Sequence, residues 1–390
     1  MRTGVTFYFQ GYPDWERYLK KERGETDQPI DPQADSTRWA EEIDSALKIE
    51  DQGFDSIWTV EHHISPYTMV PNPIQFLSFI AGATSRVDVG TMVVVLPWHH
   101  PLRVAEDITM LQHVLRGRTP YMGFGRGLAR REYRQLGFDM NESRERFAES
   151  VEIIKLALSQ ETFSFKGEQF QFEDVTMRPR PRDPQAILDN LHFSWGSATS
   201  APLGGLLGLK PMVIPQKAWA EYHADLEAFA KTRAEVGLPP ARPRIHMNMF
   251  CAESESQAAE MAGRFLPQYA ESSANNYEIG GDHFQGIKGY EEYAKRSAEM
   301  KAVIASGVDT KQLRVDNTLA NHCWGTPDQC VAKLQQIADA FHPEEFMLVT
   351  RYGAMPKEVS DRSVDLFARE VLPAVHEIPT LEPVDYGTAA

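Results

Sequence analysis

Glu61, His62 and His63 close the apolar run "SIWTV" (56–60), and His99 and His100 close "MVVVLPW" (92–98). Imidazole titrates near neutrality, so a carboxylate among histidines at a strand tip suits proton transfer. Metal binding is the competing chemistry. Neighbours on an extended segment point to opposite faces, so His62 and His63 do not readily share one ion. The chain offers no i,i+4 histidine pair on a helix and no cysteine or carboxylate cluster to complete a ligand set, so no metal is expected. A third possibility is anion binding. "GFGRGL" (123–128) has neither the Gly-x-Gly-x-x-Gly spacing of dinucleotide folds nor a Walker lysine. It does carry Arg126, whose guanidinium can grip a phosphate through two parallel hydrogen bonds. Ser197 and Ser200, in "WGSATS" (195–200), open a helix where free N–H groups and the helix dipole favour an anion. Together these features point to a phosphate-bearing cofactor.

These residues fall at the ends of a repeating pattern. Strand-like runs are read at 3–9, 54–60, 86–96, 120–125, 190–197, 209–215, 244–252 and 344–350. Helical periodicity separates them, at 36–53 (Ser36 as cap, Gly53 as stop), 72–85, 101–117 and 143–159. Alternation of strand and helix with short connections means parallel βαβ units, and continuously apolar strands such as "MVVVL" mean a sheet covered on both faces. Eight strands favour a closed (β/α)8 barrel, with strand C-termini converging on one site. The 390 residues are expected to form one domain with insertions at 10–35, 161–190 and 271–323. The second contains a hairpin around Lys166-Gly167. The first and third follow strands and are read as lids over the site.

The formal charge of −15 removes the basic footprint of nucleic-acid or anionic-membrane binding. Three cysteines, Cys251, Cys323 and Cys330, make no disulfide framework, and no signal peptide or membrane span is read, so the expected compartment is the cytoplasm.

The stretch from Val89 to Arg144, "VGTMVVVLPWHHPLRVAEDITMLQHVLRGRTPYMGFGRGLARREYRQLGFDMNESR", resembles the bacterial luciferase family of flavin-dependent monooxygenases, as do "GFDSIWTVEHH" and "GTPDQC". The resemblance implies a flavin barrel that uses reduced FMN and O2 through a C4a-(hydro)peroxyflavin to oxygenate a small hydrophobic substrate. It assigns the FMN phosphate to Arg126, Arg144, Ser197 and Ser200, with Gly196 beside them. It sets Leu128 and a non-prolyl cis peptide, Met92–Val93, against the flavin ring, and makes His62 and Glu61 the catalytic pair. Trp98, His99, Trp195 and Tyr290 are read as substrate contacts, and His63 and His100 as structural. It further implies a separate NAD(P)H:flavin reductase and a homodimer paired through the early helices. Gly125 replaces the family's reactive cysteine and Gly196 its carboxylate, and 10–35 is an insertion, so thiol behaviour, aldehyde specificity and light emission do not carry over. F420-dependent hydride transfer on the same barrel, or a non-catalytic flavin-binding partner subunit, are the alternatives.

Overall fold

The computed structural model describes residues 1–307 and 310–386. The strands in chain order are β1 (Arg2–Phe7), β2 (Ser56–Thr59), β3 (Asp88–Val95), β4 (Pro120–Gly125), β5 (Phe163–Lys166), β6 (Gln171–Val175), β7 (Leu191–Ser194), β8 (Lys210–Val213), β9 (Arg244–Cys251), β10 (Cys323–Gly325) and β11 (Glu345–Val349). Parallel pairing runs β9-β11-β1-β2-β3-β4-β7-β8 and closes through β8–β9, which makes an eight-stranded barrel. These eight strands are the eight read from the sequence. β10 extends the upper half of β9, and β5 with β6 forms the antiparallel hairpin of the 161–190 insertion.

The strands sort their side chains by face. Val5, Ile57, Val89, Met122, Leu191, Ile245 and Leu348 belong to one apolar cluster shared with the surrounding helices. Residues facing the barrel axis are more polar. At the floor, Arg244 is fully buried, ion-paired with Glu345 and stacked on Tyr121 at 3.9 Å. β3 breaks register with β4 between Thr91 and Val94, and the Met92–Val93 peptide inside that break is cis. A Cβ at Gly125 would lie 2.6 Å from Val93 Cγ2, so a side chain at the strand-four tip would press on the Val93 side chain.

Two expectations need correction. The helix expected at 36–53 runs Pro32–Lys48, capped by Asp31, which accepts from the Gln33 N–H at 2.9 Å; Ser36 lies inside it and Gly53 in the turn beyond. The 271–323 region is mostly helical: Glu255–Asn276 runs into it, followed by Glu291–Ala305 and Thr310–Asn321. Residues 308–309 of that expected lid lie outside the described residues. The 10–35 insertion docks onto the first of these helices. Tyr12 Oη donates to Glu271 at 2.7 Å, Trp15 Nε1 to Ser272 Oγ at 2.6 Å, and Arg131 bridges to Glu22 at 2.9 Å. Among the described residues no helix is long and apolar enough to cross a membrane.

Candidate active site

β2 ends at Thr59, so Glu61, His62 and His63 leave the strand on irregular backbone and are freed from strict alternation. Glu61 is 2% exposed. Its Oε1 accepts from His99 Nε2 at 2.7 Å and His63 Nε2 at 2.9 Å, and its Oε2 accepts from the Val95 N–H at 2.8 Å. A carboxylate only accepts, so both imidazoles present Nε2–H to it. Burial works to raise the Glu61 pKa, but His99 and His63 outweigh it and hold the carboxyl below its ordinary value. Burial likewise works to lower His99, and Glu61 holds it above its ordinary value. Glu61 is therefore a fixed anion tying the tip of β2 to the end of β3.

His62 has a different partner. Its Nδ1 lies 2.9 Å from Oε1 of the fully buried Glu132, which also accepts the His63 N–H at 2.8 Å. With Nδ1–H given to Glu132, the Nε2 lone pair faces the Tyr277 hydroxyl at 3.2 Å. Glu132 is not among the candidate residues that the sequence singles out. It sits on the helix Arg130–Leu136 directly after the glycine-rich turn, 70 residues from His62, and its acidic character inside "ARREYRQL" was the available signal.

Two adjoining hollows meet at His62. The smaller, about 120 Å³, is lined by Met92, Val93, Arg126, Leu128, Gly196 and Ser200 among others. The larger, about 510 Å³, shares Met92, Leu128, His62 and Tyr277 with it and extends beneath the lid helices. Arg126 is 7% exposed; one nitrogen, Nη2, donates to Ser200 Oγ at 3.0 Å and the Gly289 carbonyl at 2.9 Å. Its other terminal nitrogen, Nη1, is buried without a partner, and its plane lies 4.8 Å above the Tyr290 ring. Gly289 adopts φ +80°, and a Cβ there would lie 2.8 Å from Arg126 Nη1 and 3.1 Å from Arg144 Nε. Burial and then the Arg126 charge push the Arg144 pKa down. Two guanidinium groups thus converge beside the linked Ser197 and Ser200 hydroxyls, 2.7 Å apart. An unpaired buried cation beside a second one is the complement of a phosphate.

None of the four expected substrate contacts lines the larger hollow. Trp98 packs on His63 and Tyr133 and faces the smaller one. Trp195 gives its indole N–H to Asp225 at 2.8 Å and packs against Phe193 and Phe229, with one edge on the smaller hollow. Tyr290 supports Arg126 and donates to the Gly127 carbonyl at 2.8 Å. His99 serves Glu61. The larger hollow is walled instead by Tyr8, Tyr67, Tyr269, Tyr277, Phe284 and Tyr293.

The sequence of residues 24–342 matches the luciferase-like monooxygenase family, and the chain belongs to that family. Among its relatives is the alkanal monooxygenase alpha chain of Aliivibrio fischeri, 29% identical over 294 residues that cover 74% of this chain and 80% of the relative. Two solved structures share the fold. One is the oxygenating constituent of 3,6-diketocamphane monooxygenase from Pseudomonas putida, a type II Baeyer–Villiger enzyme in complex with FMN (TM-score 0.69, 20% identity, 96% of this chain and 98% of that one). The other is an F420-dependent secondary alcohol dehydrogenase with an F420–acetone adduct (TM-score 0.68, 17% identity, 96% and 99%).

Proposed function

We propose that this chain is the oxygenating component of a two-component, FMN-dependent monooxygenase acting on a small hydrophobic organic substrate. The observation that carries the reading is the convergence of Arg126 and Arg144 on an anion site that opens, past Leu128 and Met92, onto the hollow holding His62. The donor set fits the FMN phosphate. Reduced FMN, when bound, supplies the two electrons and the position at which O2 reacts.

The remaining tasks fall to this chain's residues. Arg126, Arg144, Ser197 and Ser200 hold the dianion and so fix the ring's depth. Glu132 fixes the His62 tautomer, leaving Nε2 to take or return a proton at the junction of the two hollows. The helices Glu255–Asn276, Glu291–Ala305 and Thr310–Asn321 wall the larger hollow against water, and the insertion at 10–35 braces the first of them through Tyr12–Glu271 and Trp15–Ser272. No nucleotide fingerprint for a nicotinamide is present in the sequence, so a separate NAD(P)H:flavin reductase in the cytoplasm supplies the electrons, and the working form is a homodimer.

The test is oxygen uptake by the purified chain given photoreduced FMN or reduced F420, with NADH and a flavin reductase added or left out. Uptake with reduced FMN alone, and NADH use only with the reductase, is the expected result. NADH turnover without the reductase removes the two-component assignment. Oxygen-independent oxidation of reduced F420 replaces FMN as the cofactor.

A further inference from the structure

A second cluster of cations lies at the opposite end of the barrel from His62, where the strands begin. Lys155 on the helix Ser143–Ser159, Lys210 at the start of β8 and Arg233 on the helix Tyr222–Glu235 line one hollow of about 310 Å³. Leu188 and Leu238 form its apolar side, and among the described residues Asp189 is the one carboxylate in its lining. Gly208 lets Lys155 approach. It adopts φ +68°, and a Cβ there would lie 3.1 Å from Lys155 Nζ and 2.9 Å from Leu238 Cδ1.

The hydrogen bonds of these cations leave their charges unanswered. Arg233 is buried, and it donates from Nε to the Pro239 carbonyl at 2.7 Å and from Nη1 to the Leu209 carbonyl at 2.6 Å. Lys155 donates to the Leu207 carbonyl. A carbonyl satisfies an N–H but brings no counter-charge, and among the described residues neither Lys155 nor Arg233 has an ion pair. Lys210 lies 4.0 Å from Glu344, which sits closer, at 3.1 Å, to Arg244. Asp189 is exposed and accepts from the Gln185 amide at 2.7 Å. Burial, then the Arg233 charge, pushes the Lys155 pKa down. Burial lowers that of Lys210 against the pull of Glu344, and the charges of Arg244 and Arg233 add to the lowering.

The chemistry of the hollow selects its ligand. Cations that repel one another gain most from a doubly charged anion, and ammonium groups beside a guanidinium are donors suited to phosphate. The volume exceeds the anion alone and falls at the lower end of small-molecule sites, with room for an organic body on the leucine side. In a chain of formal charge −15, one concave basic hollow is not the extended stripe that a nucleic acid needs. We propose that this floor hollow binds a small phosphate monoester, its phosphate held by Lys155, Lys210 and Arg233 and its organic body against Leu188 and Leu238. The site is separate from Arg126 and Arg144 and does not rest on the monooxygenase reading. The ligand does for these three cations what Glu345 does for Arg244.

The test is protection of lysines from reductive methylation in the purified full chain, read by peptide mass spectrometry. Phenyl phosphate, phenol and inorganic phosphate are the probes. At saturation phenyl phosphate is expected to slow modification of Lys155 and Lys210 by about fivefold or more, and to leave the exposed Lys21 unchanged. Phenol, which lacks the anion, is expected to protect neither. Inorganic phosphate, which lacks the ring, is expected to need about tenfold higher concentration. Arg126→Ala should leave this protection intact. In that background Lys210→Met is expected to weaken phenyl phosphate about tenfold by calorimetry. No protection by phenyl phosphate, or protection that Arg126→Ala abolishes, overturns the site whether or not the floor variant folds. Unchanged affinity in a folded Lys210→Met protein does the same. Equal protection by phenol overturns the phosphate, and equal potency of inorganic phosphate overturns the ester.

Discussion

Arg244 and Arg126 occupy opposite ends of one barrel, and they are answered in opposite ways. Arg244, at the start of β9, is ion-paired with Glu345, lies 3.1 Å from Glu344, donates from Nε to His192 at 3.0 Å, and is stacked on Tyr121. Burial and the Arg244 charge hold His192 well below its ordinary pKa, so it stays a neutral acceptor. Arg126, just past β4, meets a hydroxyl, a carbonyl and a phenol ring, but no carboxylate, and one nitrogen is left over. A buried cation with its counter-ion built in belongs to the fold. A buried cation without one leaves a charge that an incoming anion could answer, which is what the proposed phosphate site requires.

That contrast can be broken at its structural end first. Glu345→Gln leaves the Arg244 charge buried with half its answer removed, and is expected to cost about 3–5 kcal/mol of stability in urea unfolding. Flavin affinity, measured on whatever fraction remains folded, should not change. If the loss is small, the floor is not the ion-paired plug described here.

The next largest effect tests the site end through its proton-handling pair. Glu132→Gln keeps the shape but can present an amide N–H to His62 Nδ1, which turns the imidazole to the wrong tautomer. Product formation is expected to fall roughly 10²-fold, with the oxygen recovered as hydrogen peroxide, while binding of oxidised FMN holds. Unchanged coupling of oxygen to product would reduce the His62–Glu132 contact to a structural one. Arg126→Ala then sharpens the comparison from the other side. Loss of one charged hydrogen-bond donor is expected to weaken FMN binding by about 1.5–3 kcal/mol and to leave riboflavin, which has no phosphate, unaffected. Flavin-free stability should change far less than in Glu345→Gln. Parallel losses for FMN and riboflavin would remove Arg126 from the phosphate.

How much of this was legible in the sequence follows the same divide. The barrel was, because each strand is a short apolar run bounded by turns and followed by a helical period, a signal carried by neighbours in the chain. Arg126, Ser197 and Ser200 stand out in the sequence as candidate anion binders because residue type and local position suffice for that reading. Glu132 does not, since its meaning depends on a contact across 70 residues. Trp98 and Trp195 reach the smaller hollow and not the larger, because an indole near a strand tip can turn either way, and the Trp195 N–H is given to Asp225. The helices inside 271–323 were hidden by their polarity. Glu291–Ala305 has one buried residue, Ser297, so it carries little of the apolar stripe that announces a helix.

The smallest effect lies at Glu61, where the two ends of the comparison meet: a carboxylate answered internally, as at the floor, but inside the site. His99, raised above its ordinary 6.5, contributes stability that is complete below pH 6.5 and is lost as pH rises through its folded value. Glu61, lowered from 4.5, contributes stability present above pH 4.5 and lost as pH falls through its folded value. The two contributions overlap between pH 4.5 and 6.5, where the pair is charged on both sides. With His99 still 31% exposed, its share is about 0.5–1 kcal/mol. His99→Gln keeps a donor for Glu61 without the charge, so stability at pH 6 should drop by that amount and the decline above pH 6.5 should flatten. If the variant loses the same stability at pH 6 and pH 9, the imidazole acts only as a neutral donor and Glu61 resembles Arg126 more than Arg244.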